Sequence, residues 1–161
     1  MINSRVYLAQ SEIEAAGTIQ VERTYRHPTT GQPITQAVAG QLVQVELAVT
    51  VRGRQNFMLV EDSLPGGLEA LNENLNTTSH IGSAQQEPER FWQTLGYNHK
   101  EVRSDRVTFF ITEMSSGRHT FTYMARATHT GQFVALPAEA YPMYDLTTWG
   151  RSASSGLTVV E

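Results

Sequence analysis

From Gln41 to Val51 the chain alternates: Val43, Val45, Leu47, Val49 and Val51 share one parity, while Gln44, Glu46 and Thr50 take the other. Successive side chains of a strand point to opposite faces, so this pattern predicts a long strand with one dry face and one wetter face. The same rhythm recurs in Thr18 to Tyr25 (Ile19, Val21 and Tyr25 on one side), in Arg106 to Thr112 (Val107, Phe109, Ile111) and in Thr120 to Thr128 (Phe121, Tyr123, Ala125, Ala127). Phe57 to Val60 is apolar on both parities and predicts a strand covered on both faces, and Leu157 to Val160 predicts a short final strand. Weaker strand signals lie at Arg5 to Leu8, Glu101 to Arg103 and Gln132 to Leu136. Between them stand turn formers, Thr30-Gly31-Gln32-Pro33, Pro65-Gly66-Gly67, Ser115-Ser116-Gly117 and Thr130-Gly131. No segment sustains a 3.6-residue apolar period, and only Leu64 to Leu75 has room for a helical turn or two. The expected fold is all-β, an antiparallel β-sandwich or barrel with long loops and little helix.

Composition narrows the function. The 161 residues fit one domain, and 40% hydrophobic content is enough for a real core. Among 12 basic residues only Lys100 is a lysine, the arginines are scattered, and the formal net charge is −4. No basic stripe is present to track phosphates, so neither nucleic acid nor direct membrane contact is expected. With no cysteine, disulfides, thiol nucleophiles and thiolate metal sites are excluded within the chain.

Two stretches exceed the needs of a minimal sandwich. Asn72 to Asn98, polar until Phe91-Trp92, is expected to form a surface excursion pinned back by those aromatics. Pro137 to Ser155 carries Tyr141, Met143, Tyr144 and Trp149, and such a loop must either pack on its own domain or face a partner.

Catalytic and metal patterns are weak. His27, His80, His99, His119 and His129 show no His-x-His or His-x-x-x-His spacing, so no metal or other cofactor is expected. Glu61-Asp62 are adjacent on a strand and face opposite ways, which is poor geometry for an acid/base pair and reads as polar residues at a turn entrance. Gly150-Arg151-Ser152-Ala153-Ser154 approaches a nucleophile elbow but ends in Ser where Gly is needed. No enzyme is expected. Phe91, Trp92, Tyr97, Tyr141, Tyr144 and Trp149 would be the candidates for an alternative, a stand-alone carbohydrate-recognition or adhesin sandwich.

Several stretches, taken in order, resemble a known family. They are Gly17-Thr-Ile-Gln-Val-Glu-Arg-Thr-Tyr25, Val60-Glu-Asp-Ser-Leu-Pro-Gly-Gly-Leu-Glu69, Tyr97-Asn-His-Lys-Glu-Val-Arg-Ser-Asp-Arg-Val107, Gly117-Arg-His-Thr-Phe-Thr-Tyr-Met-Ala-Arg-Ala-Thr128, Pro137-Ala-Glu-Ala-Tyr-Pro-Met-Tyr-Asp145 and Gly150-Arg-Ser-Ala153. Together they are similar to the C-terminal macroglobulin-like domain of bacterial α2-macroglobulins, from Gly17 onward. Ser63, Gly66 and Leu146 stand where the family more usually has proline, alanine and proline. Residues 1–16 resemble the segment leading in from the neighbouring domain, as a linker or strand, and 17–161 the sandwich itself.

The resemblance implies a large, broad-spectrum endopeptidase inhibitor in which a protease cuts a bait elsewhere and a Cys–Gln thioester of another domain then acylates the attacker. This cysteine-free chain would pack on the thioester domain and shield the acyl group from water until activation. By the same resemblance the loop Tyr141, Pro142, Met143, Tyr144 and Asp145 lies against the thioester, with Met143 as the plug and Tyr144 beside it. The implied partners are the thioester domain and other domains of one parent chain, with target endopeptidases reached through the parent. The implied location is the periplasm or cell envelope of a bacterium.

Overall fold

The computed structural model describes residues 13–72 and 96–161. Among them lie thirteen strands and no helix: β1 (Ala16–Gly17), β2 (Gln20–Arg26), β3 (Gln36–Val38), β4 (Leu42–Val51), β5 (Gln55–Ser63), β6 (Leu68–Ala70), β7 (His99–Val102), β8 (Arg106–Met114), β9 (Gly117–Ala127), β10 (Gly131–Ala135), β11 (Glu139–Pro142), β12 (Gly150–Arg151) and β13 (Ser155–Val160). They form three open sheets, ordered β1-β12-β11-β5-β8-β7, β2-β4-β9-β6 and β10-β13-β3. The all-β sandwich expected from the alternation is the fold observed.

Register follows parity. β4 pairs with β2 through Val21↔Val49 and Tyr25↔Val45, and with β9 through Leu47↔Phe121 and Val45↔Tyr123. The inward side chains of this sheet meet those of the β5–β8 sheet in one core, where the Phe109 and Phe121 ring centroids lie 5.3 Å apart. Each such large apolar side chain, fully buried, contributes about 1.5–3 kcal/mol through removal from water. The third sheet closes one flank with Ala37, Ala135, Leu157 and Val159 turned inward.

Five expectations need correction or fall outside the described residues. The helical turn expected in Leu64 to Leu75 is absent from its described residues, 64–72: Gly66-Gly67 disfavours a helix, Leu68 N–H closes a turn onto Pro65 O at 3.0 Å, and β6 pairs with β9. The sheets are not wholly antiparallel, because β13 runs parallel to β3, and side-chain alternation carries no information about the direction of a partner. β5 is not covered on both faces: Met58, Val60 and Asp62 are buried, whereas Phe57 is exposed and Leu59 half-buried. The Arg5 to Leu8 signal and the Phe91-Trp92 anchor lie outside the described residues.

β1 matters for the loop that follows. The expected division at residues 16 and 17 falls within this strand, whose Ala16 and Gly17 pair with Arg151 and Gly150. The backbones approach so closely that a Cβ on Gly150 would stand 1.8 Å from Ile19 O, and the N–H groups of Thr18 and Ile19 donate to Trp149 O at 2.8 and 3.1 Å. Only glycine fits there. Residues 16–19 are thereby stitched to the far end of the loop from Met143 to Trp149.

Candidate functional site

The five residues singled out from the sequence lie at the end of β11 and in the loop after it, and the structure divides them. Glu139 to Pro142 pairs with Met58 to Glu61 of β5, so Tyr141 and Pro142 are fixed to the sheet. The Tyr141 hydroxyl donates to Glu61 Oε2 at 2.7 Å, and partial burial together with that carboxylate pushes the phenol up to about 12. Pro142 is buried opposite Met58. Beyond it the side chains turn outward, Met143 being 45% exposed and Tyr144 80%. Asp145 faces its own loop: Oδ1 accepts from Thr147 N–H at 3.0 Å and Thr147 Oγ1 at 2.6 Å, and Oδ2 accepts from Thr148 Oγ1 at 2.6 Å. These hydroxyl and amide donors hold the Asp145 carboxyl down to about 2.

A residue that parity could not single out completes the cluster. The Phe57 ring meets Tyr144 edge-on, with centroids 5.6 Å apart and planes at 83°, and Phe57 O accepts the Met143 N–H at 2.9 Å. Leu146 at 88% exposure and Trp149 extend this apolar end of the molecule, and the Arg151 guanidinium lies 5.9 Å from the centre of the Trp149 ring system.

The opposite end of β5 holds the reverse arrangement. Asp62 is not a turn-entrance residue: its side chain and that of Arg23 are each 1% exposed, with Arg23 Nη1 donating to Asp62 Oδ1 at 2.6 Å. The Tyr123 hydroxyl donates to Asp62 Oδ2 at 2.7 Å, and Arg23 also donates to Ser155 Oγ at 2.9 Å and to Ala135 O at 3.2 Å. One guanidinium thus ties β2, β5, β10 and β13 together across all three sheets. Burial pushes the Asp62 carboxyl above its ordinary range, with Arg23 and the Tyr123 hydroxyl pulling the other way. Reading parity for its exceptions would have found this network, since Arg23 shares the inward side with Ile19, Val21 and Tyr25, and Asp62 with Met58 and Val60.

Other candidates have local roles. Ser152 is buried, accepting from Ala138 N–H at 2.9 Å and donating to Ala153 O at 2.8 Å, which pins β11 to the end of β12. His27 Nδ1 accepts from the Thr29 and Thr30 N–H groups, and His119 Nε2 lies 2.7 Å from Ser115 O. Among the described residues no group of three or more His, Asp or Glu is placed to hold a metal. Of the aromatics expected to form a sugar-stacking face, Tyr97 turns inward onto Phe109 at 5.1 Å, Tyr141 is committed to Glu61, and Phe91 and Trp92 lie outside the described residues.

Open sheets around one core, with an outward apolar loop held between β11 and β12, define a macroglobulin-like β-sandwich domain. Residues 19–145 match the family model described as Bacterial Alpha-2-macroglobulin MG10 domain, and the chain belongs to that family. An alpha-2-macroglobulin homolog of Yersinia pestis is 28% identical over 174 residues, covering 99% of this chain and 9% of the relative. Native alpha-2-macroglobulin from Escherichia coli, solved from domain MG7 to the C-terminus, aligns at TM-score 0.76 and 26% identity over 94% of this chain and 25% of that one. Salmonella alpha-2-macroglobulin reacted with methylamine aligns at TM-score 0.73 and 28% identity, over 92% of this chain and 10% of that one. The chain therefore spans under a tenth of the Yersinia relative's length.

Proposed function

We propose that this chain is the non-catalytic C-terminal domain of a bacterial α2-macroglobulin that inhibits endopeptidases, and that its Met143-Tyr144 loop packs on and shields a thioester borne by a neighbouring domain. The observation that carries this reading is the abrupt turn from buried Pro142 to outward Met143 and Tyr144, at a loop fixed on both sides by β11 and β12. A thioester lasts only while water and amines are kept away, and a methionine thioether beside a phenol ring excludes both without presenting an amine or thiol nucleophile. Tyr141 and Pro142 anchor the loop to the sheet, and Asp145 stiffens its turn. Residues 1–16 lead in from the preceding domain, and the partners are the thioester domain and its neighbours in one parent chain, with proteases met through that parent in the periplasm or cell envelope.

The test is the rate at which free thiol appears in the intact parent incubated with methylamine. Met143→Ala and Tyr144→Ala are each expected to accelerate it, and rates equal to wild type would remove the loop from the shielding role. The 161-residue chain by itself is expected not to inhibit an endopeptidase. Inhibition by it alone would overturn the assignment.

A further inference from the structure

We propose that Phe57 is the positioning residue for the Met143-Tyr144 loop, a role that rests on the shielding reading for its purpose but on this chain's own geometry for its mechanism. Phe57 is the only non-glycine residue at positive φ among the described residues, with φ 53°. For a bulky side chain that conformation is strained, because Cβ crowds the following carbonyl. It also falls at a gap in the β5–β8 register, where Asn56 pairs with Glu113 and Met58 with Ile111 but Phe57 pairs with no residue of β8.

What the strained turn achieves lies on the other side of β5. The last residue of β11 is Pro142, opposite Met58, and its backbone faces away from β5, so the next hydrogen bond between the two segments falls one residue beyond the strand. There the Phe57 carbonyl accepts the Met143 N–H at 2.9 Å, while its ring stands edge-on to Tyr144. One residue thus fixes the backbone of Met143 and the ring of Tyr144. Burial does not account for the strain, because the Phe57 ring is 49% exposed and the ring it touches is more exposed still. Glycine would hold this backbone at lower cost. Strain retained without gain to the domain's own core is the mark of a residue kept for a site.

The experiment separates ring from backbone. Phe57→Gly keeps the left-handed turn and removes the ring. Phe57→Val, β-branched, opposes the turn. In the 161-residue chain, Phe57→Gly is expected to melt no lower than wild type and to keep the Met143 amide protected from hydrogen exchange. Phe57→Val is expected to speed exchange at Met143 by up to about tenfold, as for losing one hydrogen bond of ordinary net strength. In the parent, Phe57→Gly is expected to speed thiol release in methylamine several-fold although the domain is no less stable, a split that a purely structural role would not produce. If Met143→Ala speeds thiol release and Phe57→Gly does not, the positioning role of the ring is overturned while shielding stands. If neither speeds it, shielding fails, and exchange at Met143 in Phe57→Val decides by itself whether Phe57 positions the loop: unchanged protection overturns the proposal, and faster exchange upholds it.

Discussion

At one end of β5 Asp62 places a carboxylate out of reach of water, and at the other Phe57, with Met143 and Tyr144 beside it, places apolar side chains within reach of water. The two are separated by five residues of strand, about 17 Å at the usual rise. Both reverse the ordinary rule that polar groups face out and apolar groups in, and they differ in who supplies the compensation. Asp62 receives a guanidinium and a phenol hydroxyl from its own chain. At the apolar end the described contacts are the edge-to-face packing of Phe57 on Tyr144 and the Arg151 guanidinium over Trp149, and the side chains stay exposed. A chain that surrounds a buried carboxylate with partners leaves the side chains of its apolar loop facing water.

The contrast is most open to attack at the polar end, where the largest effect is expected. Asp62→Ala leaves the Arg23 cation buried and unpaired, and is expected to cost about 3–5 kcal/mol in urea unfolding, whereas Arg23→Met combined with Asp62→Leu is expected to recover much of it. A single-variant loss under about 1 kcal/mol would mean that water reaches the pair and that the polar end is not dry. Next in size, Tyr123→Phe removes a hydroxyl that Asp62 needs and is expected to cost about 1–3 kcal/mol. Tyr25→Phe sharpens that result: the Tyr25 hydroxyl is buried and makes no well-formed hydrogen bond, the Ser155 hydroxyl near it being already engaged by Arg23, and its removal is expected to leave unfolding unchanged or slightly harder.

At the apolar end the same measurement is expected to register little. Tyr144→Ser in the 161-residue chain is expected to shift stability by no more than about 0.5 kcal/mol, because the side chain lies mostly in water. The smallest effect belongs to pH. The folded Asp145 carboxyl sits at about 2, below the unfolded value near 3.9, so its stabilisation is complete above about pH 4 and lost as pH falls through about 2. A carboxyl chemical-shift titration of Asp145, with Thr147→Val and Thr148→Val moving its midpoint upward, checks the sign.

Much of the sandwich was legible in its alternation, because the inward faces of β2, β4, β8 and β9 are apolar at every second position with few exceptions. The short strands β1, β11 and β12 were not, since two to four residues containing Gly, Ala or Pro carry no period of their own and are extended only because a neighbour pairs with them. The outward pair Met143 and Tyr144 was reached through family resemblance, as composition alone favoured packing under their own loop. Phe57 was not reached at all. In sequence it is one more apolar residue of β5, and neither its left-handed backbone nor its bond to the distant Met143 N–H leaves a mark on the alternation. Asp62 was misjudged for a related reason: its partner Arg23 lies 39 residues away on another sheet.

The central claim is that a neighbouring domain of the parent covers the apolar end of β5. The most direct measurement is the rate of hydrogen peroxide oxidation of Met143 to the sulfoxide, followed by mass spectrometry in the 161-residue chain and in the native parent, with buried Met58 and Met114 as slow internal references. The expected result is fast oxidation of Met143 in the chain alone and, in the native parent, oxidation as slow as that of Met58. Equal, fast oxidation of Met143 in both would contradict the account, because the loop would then face water in the assembled molecule.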